Sequence, residues 1–172
     1  MASLKNVNFL LVDDNHHMVV IIKTILRGFG AQKVIEARDA PEAFDTLKTN
    51  PIDIIICDYQ MPVLDGIEFV QMVRNSTDSP NRHIPIIMLT AHSERTRVIS
   101  ARDAGATEFC TKPVTATELY KKVREIINSP RPFIKAPGYF GPDRRRRIDS
   151  YNGEDRRQSP PEETGEWRDL QV

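Results

Sequence analysis

Residues 53–70 read DIIICDYQMPVLDGIEFV. The run Ile52–Cys57 is apolar but for Asp53, rich in β-branched residues, and shows no alternation of polar and apolar side chains. A strand of that kind is buried on both faces, as in the middle of a parallel sheet. It ends at Asp58. Pro62 and the Asp65-Gly66 pair break the chain, and Ile67, Phe69, Val70 and Val73 follow at helical spacing. Asp65 stands where a helix N-cap belongs. These residues spell one strand-loop-helix unit with a carboxylate at the strand's end.

The same unit recurs in both directions. Apolar strand-length runs fall at Val7–Val12, Lys33–Ala37, Ile84–Leu89 and Ala106–Cys110. Helical spacing fills Asn15–Arg27, Ala40–Lys48, Asp65–Arg74, Glu94–Ala104 and Thr115–Asn128. Asn15, Asp39 and Thr115 are further N-caps, and Gly28 and Gly105 are expected to follow helices. Five β-α units with right-handed crossovers predict a flavodoxin-like three-layer α/β/α fold. Its five-stranded parallel sheet has the order 2-1-3-4-5 and carries five helices.

The 172 residues carry 24 basic and 24 acidic side chains, so a surface built wholly for nucleic acid is excluded, though a local basic patch is not. No apolar run approaches the ~18 residues of a membrane span. The N-terminus lacks the apolar segment and small-residue cleavage site of a secretory signal. Cys57 and Cys110 have no metal-ligand spacing and read as reduced, buried thiols of a cytoplasmic protein. Composition changes near Ser129. Residues 130–172 hold 6 of the 12 prolines, 4 of the 8 glycines and few aliphatic side chains. The expected division is therefore a domain over 1–129 and a mostly disordered Arg/Pro-rich tail over 130–172.

In an open α/β sheet, ligands bind at the carboxyl ends of the strands. Asp13 and Asp14 follow the first strand, Asp58 the third, Thr90 the fourth, and Lys112-Pro113 the fifth. Each feature alone is an ordinary cap or turn, but four successive strand ends bearing this set point to one site. Three carboxylates repel unless a cation lies among them, and an all-oxygen set with few ligands suits Mg²⁺. A carboxylate beside such an ion can accept a phosphoryl group, with Lys112 and Thr90 stabilising its oxygens.

The segments FLLVDDN (9–15), DIIICDYQMPVLDGIEFV (53–70), IPIIMLTAHS (84–93) and DAGATEFCTKPVTATEL (103–119) closely resemble the receiver domain of two-component response regulators. The resemblance covers roughly 6–128. It implies that Asp58 is the phosphoacceptor, that Asp13, Asp14 and Asp58 hold Mg²⁺ with the Gln60 backbone carbonyl, and that Lys112 binds phosphate. Thr90 and Phe109 would be the switch pair that alters the face of the fourth helix, fifth strand and fifth helix. It also implies a cis Lys112–Pro113 peptide, and a chain that receives phosphate from a histidine kinase or a histidine phosphotransfer protein. Such a chain is a switch acting on a downstream protein, as a monomer or phosphorylation-dependent dimer, rather than an enzyme turning over an external substrate. His16 and His17 lie near the acidic rim and read as surface polar residues, while Gln60 and His92 occupy positions that vary in the family.

The tail contains PGYFGPDRRRRIDSYNGEDRR, residues 137–157. It weakly resembles a short F-x-G-P-D-R-R tail on some stand-alone receivers. Three readings stand. It is a solvated linker end; or Tyr139, Phe140, Arg144, Arg145, Arg146 and Arg147 dock on a partner or back on the receiver; or the arginines contact nucleic acid, making the chain a transcription or RNA regulator. Trp167 has no legible target.

Overall fold

The computed structural model describes residues 4–91, 95–145 and 162–163. Its element order is β1 (Asn8–Val12), α1 (His16–Gly28), β2 (Lys33–Ala37), α2 (Ala40–Thr49), β3 (Ile54–Asp58), α3 (Gly66–Asn75), β4 (Ile86–Ala91), α4 (Arg95–Ala104), β5 (Glu108–Lys112) and α5 (Ala116–Asn128). The sheet runs β2-β1-β3-β4-β5, all parallel, in the expected flavodoxin-like order.

Because β1, β3 and β4 have neighbours on both sides and helices above and below, their side chains divide between two cores. Leu10, Val12, Ile55, Cys57, Ile86 and Met88 face α2, α3 and α4 with Phe44, Phe69, Val70 and Val73. Phe9, Leu11, Ile54, Ile56, Ile87 and Leu89 face α1 and α5 with Ile22, Leu26, Leu119, Val123 and Ile126. Each such side chain contributes about 1.5–3 kcal/mol by leaving water. The helices begin where the caps place them. Asn15 accepts from the His17 and Met18 amides, Asp39 from Glu42, and Thr115 from Glu118. Asp65 forms a reciprocal capping box with Glu68, each accepting the other's backbone N–H at 2.9 Å.

Two boundary readings need correction. Strands 3, 4 and 5 run past the apolar stretches, so Asp58, Thr90 and Lys112 lie within strands. Asp58 pairs with Leu89, Thr90 with Thr111, and Ala91 with Lys112. Apolarity marks where a strand is covered; the ladder continues into its polar end. Gly28 is the last helical residue of α1 rather than the one after it, and the left-handed turn falls on Gly30, at φ 93°.

The larger correction concerns the boundary at 129. Residues 133–142 form an antiparallel hairpin, β6 (Phe133–Ala136) and β7 (Tyr139–Pro142), joined by Pro137-Gly138. Proline presets φ at the first loop position, and Gly138 takes the left-handed φ of 73° at the second. A short third strand, β8 (Glu162–Glu163), pairs with β6. The hairpin packs on α3 and α4. Phe133 and Phe140 are 2% and 8% exposed, and the His83 ring meets both edge-on at 5.1 and 5.3 Å. Beneath them Arg74 is wholly buried. Its Nε donates to the Gly105 carbonyl at 3.0 Å and its Nη1 to that of Arg82 at 2.8 Å, with the guanidinium 4.9 Å from the Phe133 ring centroid. A segment poor in aliphatic residues has no core of its own. Two aromatic rings laid on an existing domain over arginine and histidine faces are sufficient. The expectation of disorder for the rest of the tail lies outside the described residues, as do Arg146, Arg147 and Trp167.

Candidate functional site

β1 and β3 are adjacent, so Asp13 and Asp58 emerge side by side at the carboxyl edge of the sheet. Carboxylate oxygens of Asp13, Asp14 and Asp58 all lie within 4.8 Å of one another. Lys112, at the end of β5, reaches back so that its Nζ sits 2.8 Å from Asp58 Oδ1 and 3.7 Å from Asp13 Oδ2. The Lys112–Pro113 peptide is cis, as expected. Asp13 is buried, Asp14 exposed, and Asp58 nearly buried with its carboxylate facing the rim.

One ammonium does not neutralise three carboxylates. Burial pushes the Asp13 carboxyl above the ordinary aspartate range. The Asn15 backbone N–H, which donates to Oδ1 at 2.8 Å, pulls it down; Asp58 pushes it up, Lys112 lowers it, and Asp14 raises it again. Asp13 Oδ2 is buried and accepts no hydrogen bond among the described residues. A buried carboxylate oxygen without a donor, facing two more carboxylates, fits a hard divalent cation. The other expected members lie on neighbouring elements. Thr90 is buried on β4, Phe109 is half-buried against the α2–α4 core, and Gln60 is exposed in the loop after β3.

That loop is tightly held. A Cβ on Gly66 would lie 2.5 Å from the Asp58 carbonyl oxygen and 2.5 Å from Met88 Cε, so the start of α3 seats on the backbone of Asp58. The Leu64 N–H donates to the Pro62 carbonyl at 2.9 Å across Val63, which has φ 71° and is 82% exposed. This is a γ-turn with a β-branched residue at its strained centre.

Sequence reasoning missed two features. The cleft beside Asp13 and Asp14 continues along the end of β2, where Glu36, Arg38 and Glu42 line it with His16. The Arg97 guanidinium of α4 lies 5.1 Å from the ring centroid of Tyr59, next to Asp58. Neither has a sequence signal, because both are set by where loops cross the rim. Of the residues proposed for partner contact, Tyr139, Phe140 and Arg144 do not join the rim. They belong to the hairpin at the opposite end of the sheet. Phe140 is buried there against the receiver itself, the alternative in which this segment docks back on its own domain rather than on a partner. Arg144 lies over the Tyr139 ring at 4.2 Å and pairs with Asp103 at 3.3 Å. Arg145 is exposed. Cys57 and Cys110 are free and buried. Burial pushes the Cys57 thiol well up and takes Cys110 to about 12, so neither is a nucleophile at neutral pH.

The family model for the response regulator receiver domain matches residues 9–124. The chain belongs to the response regulator receiver family. Receiver relatives include chemotaxis protein CheY-3 of Vibrio cholerae, 35% identical over 123 residues, 72% of this chain and 93% of that protein. CheY of Pseudomonas aeruginosa is 36% identical over 118 residues, 69% and 94% of the two chains. Among solved structures, the receiver domain of a Pseudomonas aeruginosa sensor histidine kinase, with magnesium coordinated in its active site cleft, superposes with a TM-score of 0.64 at 29% identity. That match covers 72% of this chain and 99% of that one. This receiver is thus a phosphoacceptor response regulator of two-component signalling. No helix among the described residues is long and apolar enough to cross a membrane.

Proposed function

We propose that Asp58 is the phosphoacceptor, that Asp13, Asp14 and Asp58 hold Mg²⁺ with the Gln60 carbonyl, and that a histidine kinase or histidine phosphotransfer protein in the cytoplasm supplies the phosphoryl group. The supporting observation is the ion pair between Lys112 and Asp58 inside a three-carboxylate cluster. A bound Mg²⁺ supplies positive charge to the carboxylates and to the phosphoryl oxygens. An Asp58 oxygen attacks phosphorus as the bond to the donor's imidazole nitrogen breaks. Lys112 Nζ then turns from the carboxylate to a phosphoryl oxygen, and the Thr90 hydroxyl donates to another.

Two such charge-assisted bonds are worth about 3–6 kcal/mol, against the roughly 5.5 kcal/mol that moves a two-state equilibrium from 1:99 to 99:1. Lys112 and Thr90 thus supply a strong bias toward an active face, in which Phe109 is the second switch residue and which a protein partner that prefers it completes. The reading of the tail as a nucleic-acid effector gains no support, since Arg144 is spent on Asp103 and Tyr139.

The test is the intact mass after treatment with acetyl phosphate and Mg²⁺. One phosphoryl gain is expected, lost on chelation and in Asp58→Asn. A gain that persists in Asp58→Asn would move the acceptor elsewhere.

A further inference from the structure

The hairpin lies beyond the family match, which ends at residue 124. The hairpin, with Arg131 and Arg144 on either side of it, touches three elements whose other ends form the phosphorylation rim. α3 begins at Gly66 on the Asp58 backbone and ends near Arg74, which lies under Phe133 and donates to the Gly105 carbonyl. α4 carries Arg97 over Tyr59 near one end and Asp103, paired with Arg144, near the other. β5 ends at Lys112 on Asp58 and begins at Glu108, whose carboxylate accepts from Arg131 at 2.5 Å. The Arg131 guanidinium also donates to the Thr107 carbonyl. Arg131 and Arg144 flank β6 and β7, so one small unit grips the base of both α4 and β5.

The seat itself is backbone on backbone. A Cβ on Gly141 would lie 2.8 Å from Gly105 Cα and 2.7 Å from the Tyr139 hydroxyl. Gly105 has φ 107°, and a Cβ there would lie 2.9 Å from the Phe140 carbonyl oxygen. At such a joint two backbones meet with no room between them, so a change in the α4–β5 corner is felt by the hairpin directly.

We propose that the 133–142 hairpin is an intramolecular sensor of the rim, docked while Lys112 is paired with the Asp58 carboxylate and loosened when Asp58 carries a phosphoryl group. This rests on Asp58 being the acceptor. The phosphoryl group draws Lys112 and Thr90 to new positions. Both belong to the β4–β5 pair, and β5 is only five residues long between Lys112 and the Arg131 grip. Coupling is reciprocal: if phosphorylation loosens the hairpin, a loosened hairpin favours the phosphorylated form by the same factor.

The experiment uses the full chain with Mg²⁺, with and without acetyl phosphate. Hydrogen exchange of amides 133–142 is followed beside the intact mass, and the affinity for beryllofluoride is measured on the unphosphorylated chain. Phosphorylation is expected to speed exchange over 133–142 by about fivefold or more, the lower end of ordinary coupling. Gly141→Ala, which cannot seat on Gly105, is expected to show fast exchange without phosphate and to bind beryllofluoride about fivefold or more tightly. Arg144→Gln, milder and on the surface, is expected to move both readouts the same way by a smaller factor. It therefore carries the test if Gly141→Ala fails to fold. A phosphoryl mass gain with unchanged or slower exchange overturns the sensor and leaves the acceptor standing. No mass gain at all overturns both.

Discussion

The two ends of the central sheet are built on opposite principles. At the carboxyl edge, three acidic groups share one lysine and a buried Asp13 oxygen lacks a donor. At the amino edge, a buried arginine lies under an aromatic ring and is tied to two carbonyls. The first arrangement holds charge in tension and is completed by something from outside. The second is held mostly by its own chain, with Nε and Nη1 of Arg74 bonded and Nη2 left without a hydrogen-bond partner among the described residues. Like charges left together mark the end that does chemistry, while a cation enclosed by rings and carbonyls marks the end that holds the fold.

Substitutions sharpen that contrast. The largest effect is expected for Lys112→Ala. Acetyl phosphate uptake, followed by intact mass against time, should slow about 100-fold or more, the usual loss when one donor to a developing oxyanion is removed. Arg74→Ala should act at the other end. It leaves the Gly105 and Arg82 carbonyls without a donor and a cavity under Phe133, costing about 3 kcal/mol and lowering Tm by roughly 6–12 °C. The phosphoryl mass gain should survive. Loss of uptake in a folded Arg74→Ala would erase the distinction between the two ends.

Asp13→Asn should do the reverse and stabilise. A carboxyl whose pKa is raised in the folded state binds protons more tightly there than in the unfolded chain. Its ionisation therefore costs stability as pH climbs from the unfolded value through the folded one. Without divalent cations, Asp13→Asn should raise stability at neutral pH. The gain should shrink as pH falls toward the ordinary aspartate range and reverse when Mg²⁺ is added; thermal melts across pH check all three. The smallest effect belongs to Val63→Asn. Asparagine tolerates φ 71° better than valine, so a gain of roughly 0.5–1 kcal/mol is expected by denaturant titration. A loss there would mean that the exposed valine makes a contact worth more than its strain.

The sheet order and the rim were legible because their signals are local and repeat. Unbroken Ile54–Cys57, the caps at Asn15, Asp39, Asp65 and Thr115, and the polar residues closing four strands each state their position within a few residues. The hairpin was not legible, for a definite reason. Counting aliphatic residues asks whether a segment can build a core, whereas Phe133 and Phe140 needed only a surface to land on. That surface is assembled by Arg74 and His83 of the α3–β4 segment and by Gly105 after α4, none of them near the hairpin in sequence. The PGYFGPD motif reads as a docking peptide in isolation. In place, Gly141 is the point where two backbones meet, and the Tyr139 hydroxyl donates to the Pro142 carbonyl to close its own corner. The Arg97–Tyr59 stack was hidden for a similar reason, since nothing in either neighbourhood names the other.

The hairpin also fixes where Arg145 stands. Asp143 donates its N–H to the Pro132 carbonyl, and Arg144 is held against α4, so Arg145 stands at the pole opposite Asp58. A fluorophore attached at residue 145 would stand at the far end of the domain from Asp58. The same molecule could then be labelled, immobilised or tethered to cargo without obstructing the face that accepts the phosphoryl group.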